Sequence, residues 1–233
     1  MSSKYHITGA SSGLGKFLLH ELDANRITRD KESYKISECR EISKIIHCGS
    51  GRISKELNSD AFIKEQLSLF ESLLDLKHDK FIYISSIDVL SNRMNPYIYV
   101  KKNIEEQIIQ NFKDFLIIRP CLLFGKGMIP NQALKIATGF SSRVTLTMTS
   151  TFGLVWYDDI LKVIDEDLSG IINVIPEKLV SLNQLANYFS REVLWGDFEY
   201  LTPQNLPCDN IEKNLIIKGD SLSRLKNFIK TSK

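Results

Sequence analysis

Tyr97 and Lys101 stand four residues apart, just after Pro96 and downstream of the serine pair Ser85-Ser86. Pro96 suits the first turn of a helix. A spacing of four then puts the phenol and the ammonium on one helical face. A free phenol titrates at ~10, too high for acid–base work at neutral pH. A neighbouring ammonium favours the phenolate and lowers that value. The pair is therefore expected to move a proton at a substrate oxygen, with Tyr97 as the acid–base group and Lys101 tuning it. A serine hydroxyl alongside can polarise a carbonyl or an alcohol, and Ser86 is the better placed of the two. Tyr99 competes for the role, but the residue four beyond it is Asn103, which carries no charge. Most such pairs on helices are solvated surface pairs, so the surrounding elements must supply the context.

Those elements are legible. Phe81-Ile82-Tyr83-Ile84 is a continuous apolar run, as a fully buried strand should be. It delivers Ser85 and Ser86 to its carboxyl end, where open α/β sheets bind ligands. Near the start, Lys4 to Ile7 reads as another strand and leads into Thr8-Gly9-Ala10-Ser11-Ser12-Gly13-Leu14-Gly15. Phe17, Leu18, Leu19 and Leu22 follow at helical spacing. Strand, glycine turn and helix together aim free N–H groups and a positive helix end at an anion. The expected anion is a dinucleotide pyrophosphate, cradled by Gly9, Ser11, Ser12, Gly13, Leu14 and Gly15. A glycine-rich turn without a ligand is the plainer alternative.

Strand signals fall at about 4–8, 26–29, 44–48, 80–85, 115–119 and 171–175. Helix signals fall at about 13–24, 58–77, 97–112, 131–139, 158–167 and 181–191. This alternation predicts an α/β fold, a doubly wound parallel sheet of Rossmann type with a small C-terminal substrate lobe. One domain is expected over 1–233, the reduced lobe coming mainly from 121–157 and 176–233. Little chain separates Gly15 from the strand at Lys44 to Cys48, so the sheet is expected to be trimmed there, with Tyr34 to Ser37 as a very short extra strand.

The 233 residues carry a formal net charge of +2, with 43% hydrophobic and 25% charged residues. That balance gives no pull toward nucleic acid or membrane. No apolar run approaches the ~20 residues of a membrane span. The start, Met-Ser-Ser-Lys-Tyr-His, reads without a signal peptide, so the expected compartment is the cytoplasm. Cys39, Cys48, Cys121 and Cys208 show no Cys-x-x-Cys pairing, and free thiols are expected rather than a metal site.

With these residues assembled, the chain resembles the short-chain dehydrogenases/reductases. It is most similar to their extended branch of NAD(P)-dependent sugar-nucleotide epimerases, dehydratases and reductases. Ile84-Ser85-Ser86-Ile87-Asp88-Val89-Leu90 resembles that branch's Ser-Ser-x-x-Val-Tyr segment, and the alignment puts the catalytic hydroxyl on Ser86. Tyr97-x-x-x-Lys101-x-x-x-Glu105 matches its catalytic helix. Ile45-Ile46-His47-Cys48-Gly49 resembles the strand end that lines the cofactor's adenosine side, which implies contacts from Cys48 and Gly49. Arg119-Pro120 with Leu123-Phe124-Gly125 resembles its Arg-Pro…Tyr-Gly segment, where the residues after the proline face the nicotinamide and the substrate; the resemblance puts Pro120, like Ser85, among the cofactor contacts. Gly153 to Ile160, Asn173-Val174 with Val180 to Leu185, and Ser221 to Leu225 resemble later family segments in order. The glycine spacing, however, is that of the single-domain branch, and the loop between Ser86 and Tyr97 is short.

The resemblance implies hydride transfer at a carbonyl or carbinol carbon. Tyr97 would move the proton, Lys101 would also hold the nicotinamide ribose, and Ser86 would orient the oxygen. The substrate is a small molecule, a nucleotide sugar being one candidate, and a homodimer through the Tyr97 helix is a family habit. An arginine at the end of the second strand accommodates the 2′-phosphate of NADP, whereas an acid favours NAD. Arg29 stands there, followed by Asp30 and Lys31, so NADP(H) is favoured over NAD(H). Solvated loop charges are the plain alternative for Arg26, Arg29 and Lys31. Two other readings stay open: a non-catalytic dinucleotide sensor or scaffold on the same fold, and a simple single-domain alcohol dehydrogenase.

Overall fold

In a computed structural model the described residues are 4–29, 33–35, 42–49 and 58–231. Numbering only the main sheet, the strands are β1 (Tyr5–Thr8), β2 (Asn25–Arg26), β3 (Ile42–His47), β4 (His78–Ile84), β5 (Phe115–Pro120), β6 (Gly170–Pro176) and β7 (Glu212–Ile217). They form one seven-stranded sheet in the order β7-β6-β5-β4-β3-β1-β2. Every pairing is parallel, with Ile46 opposite Ile82 and Ile118 opposite Ile172. The helices are α1 (Gly13–Glu21), α2 (Ser59–Leu74), α3 (Pro96–Asn111), α4 (Gln132–Thr138), α5 (Tyr157–Asp165), α6 (Leu182–Tyr188) and α7 (Ser221–Thr231).

Both sheet faces are covered, which is why the central strands read as unbroken apolar runs. Leu14 and Leu18 of α1 and Ile160 and Val163 of α5 pack with Ile7, Ile46 and Ile82 on one face. Phe62 and Phe70 of α2 and Ile104 and Ile108 of α3 pack with Ile45, Phe81 and Ile117 on the other. Each fully buried side chain of this size contributes about 1.5–3 kcal/mol. Caps set the helix starts. Asn58 Oδ1 accepts the Ala61 N–H at 2.8 Å, and Asn95 Oδ1 accepts the Ile98 N–H at 2.9 Å with Pro96 in the first turn.

Beyond β5, Leu122–Phe124 pairs in parallel with Leu154–Trp156 and Thr151–Phe152 pairs antiparallel with Val180–Ser181. Phe124, Ile136, Trp156, Leu182 and Leu225 form a separate apolar cluster there, shared by α4, α6 and α7.

Some boundaries differ from the sequence reading. Helix α1 stops at Glu21 rather than residue 24, because Asp23 turns left-handed at φ 45°. The strand expected at 26–29 is two pieces: Asn25–Arg26 in the main sheet, and Thr28–Arg29 paired antiparallel with Tyr34–Lys35. Buried Ile27 forms the break between them. Ile36, Ser37 and Cys39 lie outside the described residues. Among the described residues, no strand lies beyond β2, as the short spacing after Gly15 implies. β7 has no counterpart in the sequence reading. The described cysteines, Cys48, Cys121 and Cys208, are free thiols, but Cys208 is exposed. No described helix is long and apolar enough to cross a membrane.

Candidate active site

The sheet order reverses direction at β1, with β2 on one side and β3 on the other, and the crevice opens there at the strands' carboxyl ends. The glycine turn lies in that crevice because nothing larger fits. Gly9 has φ +68°, and a Cβ on it would sit 2.8 Å from the Gly49 nitrogen. A Cβ on Gly15 would come within 2.4 Å of the Gly9 carbonyl oxygen. The turn is thereby pressed against the loop after β3, and α1 against the turn. Ser12 caps α1 in extended backbone but makes no side-chain cap bond. The first N–H groups of α1 thus face the crevice.

A groove of about 580 Å³ runs along this turn. Gly9, Ser11, Ser12, Leu14, Gly15, Arg29, Cys48, Gly49, Ser85, Tyr97 and Lys101, all expected among the cofactor contacts, line it together. Gly13, Pro120 and Ser86 line instead a second cavity of about 440 Å³ on the other side of Tyr97. Gly13 and Pro120, also expected among the cofactor contacts, therefore border the second cavity rather than the groove. The two spaces share Ser12, Ser85, Tyr97 and Leu123 as a common wall.

The groove's charge is one-sided. Arg26, Arg29 and Lys101 line it, and no aspartate or glutamate does among the described residues. Arg29 is bonded to Glu65 on α2. Arg26, at the carboxyl end of β2, reaches back to the Ala10 carbonyl of the glycine turn at 3.4 Å. Arg26 is therefore the better-placed cation, a residue the sequence reading treated only as a loop charge. Asp30 and Lys31 lie outside the described residues.

Lys101 is 2% exposed and donates from Nζ to the Ile84 carbonyl at 2.7 Å. Its ammonium lies 4.6 Å from the Tyr83 ring centroid and 5.7 Å from that of Tyr97. Burial pulls its pKa down to about 8, partly offset by Cys48 and Glu105. Tyr97 behaves differently from expectation. Desolvation, with the Asp88 carboxylate adding to it, pushes its phenol up to about 12, and the Ser86 hydroxyl only partly counters this. Burial, not the neighbouring lysine, therefore sets the direction of its shift. Ser86 Oγ accepts the Asp88 N–H at 3.2 Å and caps a short helical turn, Ile87–Leu90. The Ser85 hydroxyl is buried and has no hydrogen-bond partner among the described residues, so it can meet a ligand in either space.

Behind the groove, His47 bonds Thr8 Oγ1 through Nδ1 at 2.7 Å and stacks on Tyr83 at 5.4 Å. Burial, with Lys101 adding to it, holds His47 neutral at about 3, so it is a wall rather than an acid–base group. Below the site, Arg119 of β5 makes a bidentate pair with Glu105 of α3 at 2.7–3.1 Å. Its Nη1 also reaches Glu212 of β7 at 2.6 Å. This network fixes the helix that carries Tyr97 and Lys101 to the sheet. Asp88 and Tyr200 also line the second cavity, and sequence reasoning gives neither a role. Asp88 stands inside the serine segment, at a position that segment's pattern leaves open. Tyr200 has no local signal. No cluster of His, Cys, Asp or Glu among the described residues is arranged to hold a metal.

A scan against protein-family models finds no match, and neither does a search of curated proteins. Solved structures do match. MoeE5 in complex with UDP-glucose and NAD is 13% identical, with a TM-score of 0.74 over 98% of this chain and 99% of that one. UDP-N-acetylglucosamine 4-epimerase from Bacillus cereus is 16% identical, with a TM-score of 0.63 over 86% and 87%. Bordetella bronchiseptica WbmG, in complex with NAD and UDP, is 8% identical, with a TM-score of 0.68 over 99% and 94%. Over nearly its whole length, the chain shares with these proteins a Rossmann-like α/β fold built on a parallel sheet.

Proposed function

We propose that the chain is a nicotinamide-dinucleotide-dependent oxidoreductase or epimerase of the short-chain dehydrogenase type. It acts at a carbonyl or carbinol carbon of a sugar nucleotide or another small substrate. One observation carries this reading: Tyr97 and Ser85 stand in the wall shared by the groove along the glycine turn and a second cavity of about 440 Å³. The glycine cradle, the first N–H groups of α1 and the partnerless Ser85 hydroxyl suit a dinucleotide. Two structural neighbours with the same fold are complexed with NAD and with UDP-glucose or UDP, in keeping with that fit.

A bound nicotinamide would supply or accept the hydride. The rest falls to the chain. Lys101, held by Ile84, would meet the ribose hydroxyls, and Ser86 would orient the reacting oxygen. Tyr97, with its pKa pushed up to about 12, stays protonated and is set to donate to a carbonyl oxygen, which favours reduction. NADP(H) is the favoured cofactor, because Arg26 stands at the end of β2 and no acid lines the described groove.

The test is thermal unfolding with NAD(H) against NADP(H), followed by turnover. A dinucleotide at ~100 times its dissociation constant should stabilise the fold by about 2.7 kcal/mol. Tyr97→Phe should keep that stabilisation and lose turnover. No stabilisation by any dinucleotide would refute the proposal. Stabilisation by NADPH without its oxidation across a broad carbonyl panel would make the chain a sensor instead.

A further inference from the structure

The substrate-side cavity holds a carboxylate that the proposed chemistry does not use. Asp88 lines it two residues after Ser86, and its Oδ1 accepts the Tyr200 hydroxyl at 2.6 Å. Asp88 Oδ2 has no hydrogen-bond partner among the described residues, so it keeps acceptor capacity for a ligand. No lysine or arginine among the described residues lines this cavity. Two cations stand outside it. Arg93 stacks over Phe198 and Tyr200 at 5.3 and 4.7 Å and donates to the Glu199 carbonyl at 3.0 Å. Lys126 lines a different cavity, on the far side of the Gly125–Met128 turn.

A diphosphate carries full negative charge and calls for cations or a row of N–H donors. This cavity answers with a carboxylate, neutral hydroxyls and apolar walls; its N–H donors at the start of α1, beside Ser12 and Gly13, are those the reading above gives to the dinucleotide. At about 440 Å³ it also sits toward the small end of ligand sites, which run ~300–1,000 Å³. Specificity needs a repulsive element as well as an attractive one, and a carboxylate supplies both. We infer, resting on the hydride-transfer reading above, that Asp88 is the specificity-determining residue of this cavity. Its substrate is a phosphate-free carbonyl or carbinol compound that presents a hydroxyl or ammonium donor to the Asp88 carboxylate. Tyr200 positions that carboxylate.

The experiment uses the full chain saturated with whichever dinucleotide stabilises it. Calorimetric titrations with D-glucose, D-glucosamine, UDP and UDP-glucose are run on the wild type, Asp88→Asn and Tyr200→Phe. A phosphate-free sugar should bind more tightly than UDP or UDP-glucose. A charge-assisted bond is lost in Asp88→Asn, so glucosamine affinity should fall at least ~10-fold, and glucose affinity less. The same variant should bind UDP more tightly than the wild type does. Tyr200→Phe should weaken both sugars without improving UDP. Tighter binding of UDP or UDP-glucose by the wild type overturns the inference. So does an unchanged glucosamine-to-UDP preference in Asp88→Asn, or no binding of either sugar. The hydride-transfer reading fails separately, at the earlier step, if no dinucleotide binds.

Discussion

Replacing Lys101 with methionine should stabilise this protein while disabling its proposed chemistry. Lys101 is an ammonium at 2% exposure with one hydrogen-bond partner, the Ile84 carbonyl. Its pKa falls from 10.5 to about 8 because burial disfavours the charge. At 1.36 kcal/mol per pH unit, that gap amounts to about 3 kcal/mol lost on folding. A lysine that binds its proton less tightly in the fold than in the unfolded chain carries this penalty in full below about 8. Stability then rises as pH climbs from about 8 to 10.5. Methionine fills nearly the same volume and removes the charge. It also forfeits the bond to Ile84, worth about 1 kcal/mol. The net gain at neutral pH is about 2 kcal/mol, or roughly 4–8 °C in midpoint for a chain of this length. The advantage should shrink through that pH window and reverse slightly above it. Urea unfolding followed by circular dichroism at neutral pH and at 10.5 reads both. A Lys101→Met protein less stable than wild type at neutral pH refutes the reasoning. So does a stability difference that stays flat with pH.

Arg119→Met should cost about 3–5 kcal/mol, since it strands the buried carboxylates of Glu105 and Glu212; denaturant midpoints check it. Asp167→Asn tests an exposed carboxylate that holds the two buried lysines Lys44 and Lys80. The Asp167 pKa is drawn down to about 2 by those lysines, so its contribution is present above 3.8 and fades as pH falls toward 2. Asparagine tolerates the left-handed φ of 51°, so the loss at neutral pH, about 1–2 kcal/mol after screening, reports the charge alone. Asp88→Asn should lower the Tyr97 pKa, because Asp88 is one of the causes raising it; ultraviolet titration referenced to Tyr97→Phe reads the shift. Gly15→Ala forces a Cβ to 2.4 Å from the Gly9 carbonyl. It should cost about 1–3 kcal/mol and abolish dinucleotide stabilisation in the thermal assay.

The parts legible in the sequence are those whose chemistry is local. Continuous apolar runs such as Phe81 to Ile84 announced buried strands, and Pro96 announced the first turn of α3. The glycine turn announced a close backbone approach, which the contacts of Gly9 and Gly15 bear out. β7 stayed hidden because Glu212-Lys213-Asn214 opens it with polar residues. Glu212 is buried only because Arg119 and Asn173 come to meet it from distant parts of the chain. The Tyr97 pKa was misjudged for a related reason. Spacing places a lysine on the same face, but only the packed fold shows that the phenol is buried and that an aspartate stands nearby. Arg26 was undervalued because the break at Ile27, which leaves it at the mouth of the groove, has no sequence signature.

The tie among Glu105, Arg119 and Glu212 has a consequence for the order in which the protein is made. Glu212 lies 93 residues after Arg119 and closes the network from the edge of the sheet. A nascent chain that has released α3 and β5 holds Glu105 of that helix against Arg119 of the strand, but the arginine still lacks its second carboxylate. Domains fold as units while synthesis proceeds from the N-terminus. The network that ties α3 to the sheet is therefore complete only after β7 has left the ribosome, and a chain truncated before Glu212 should hold that helix less firmly.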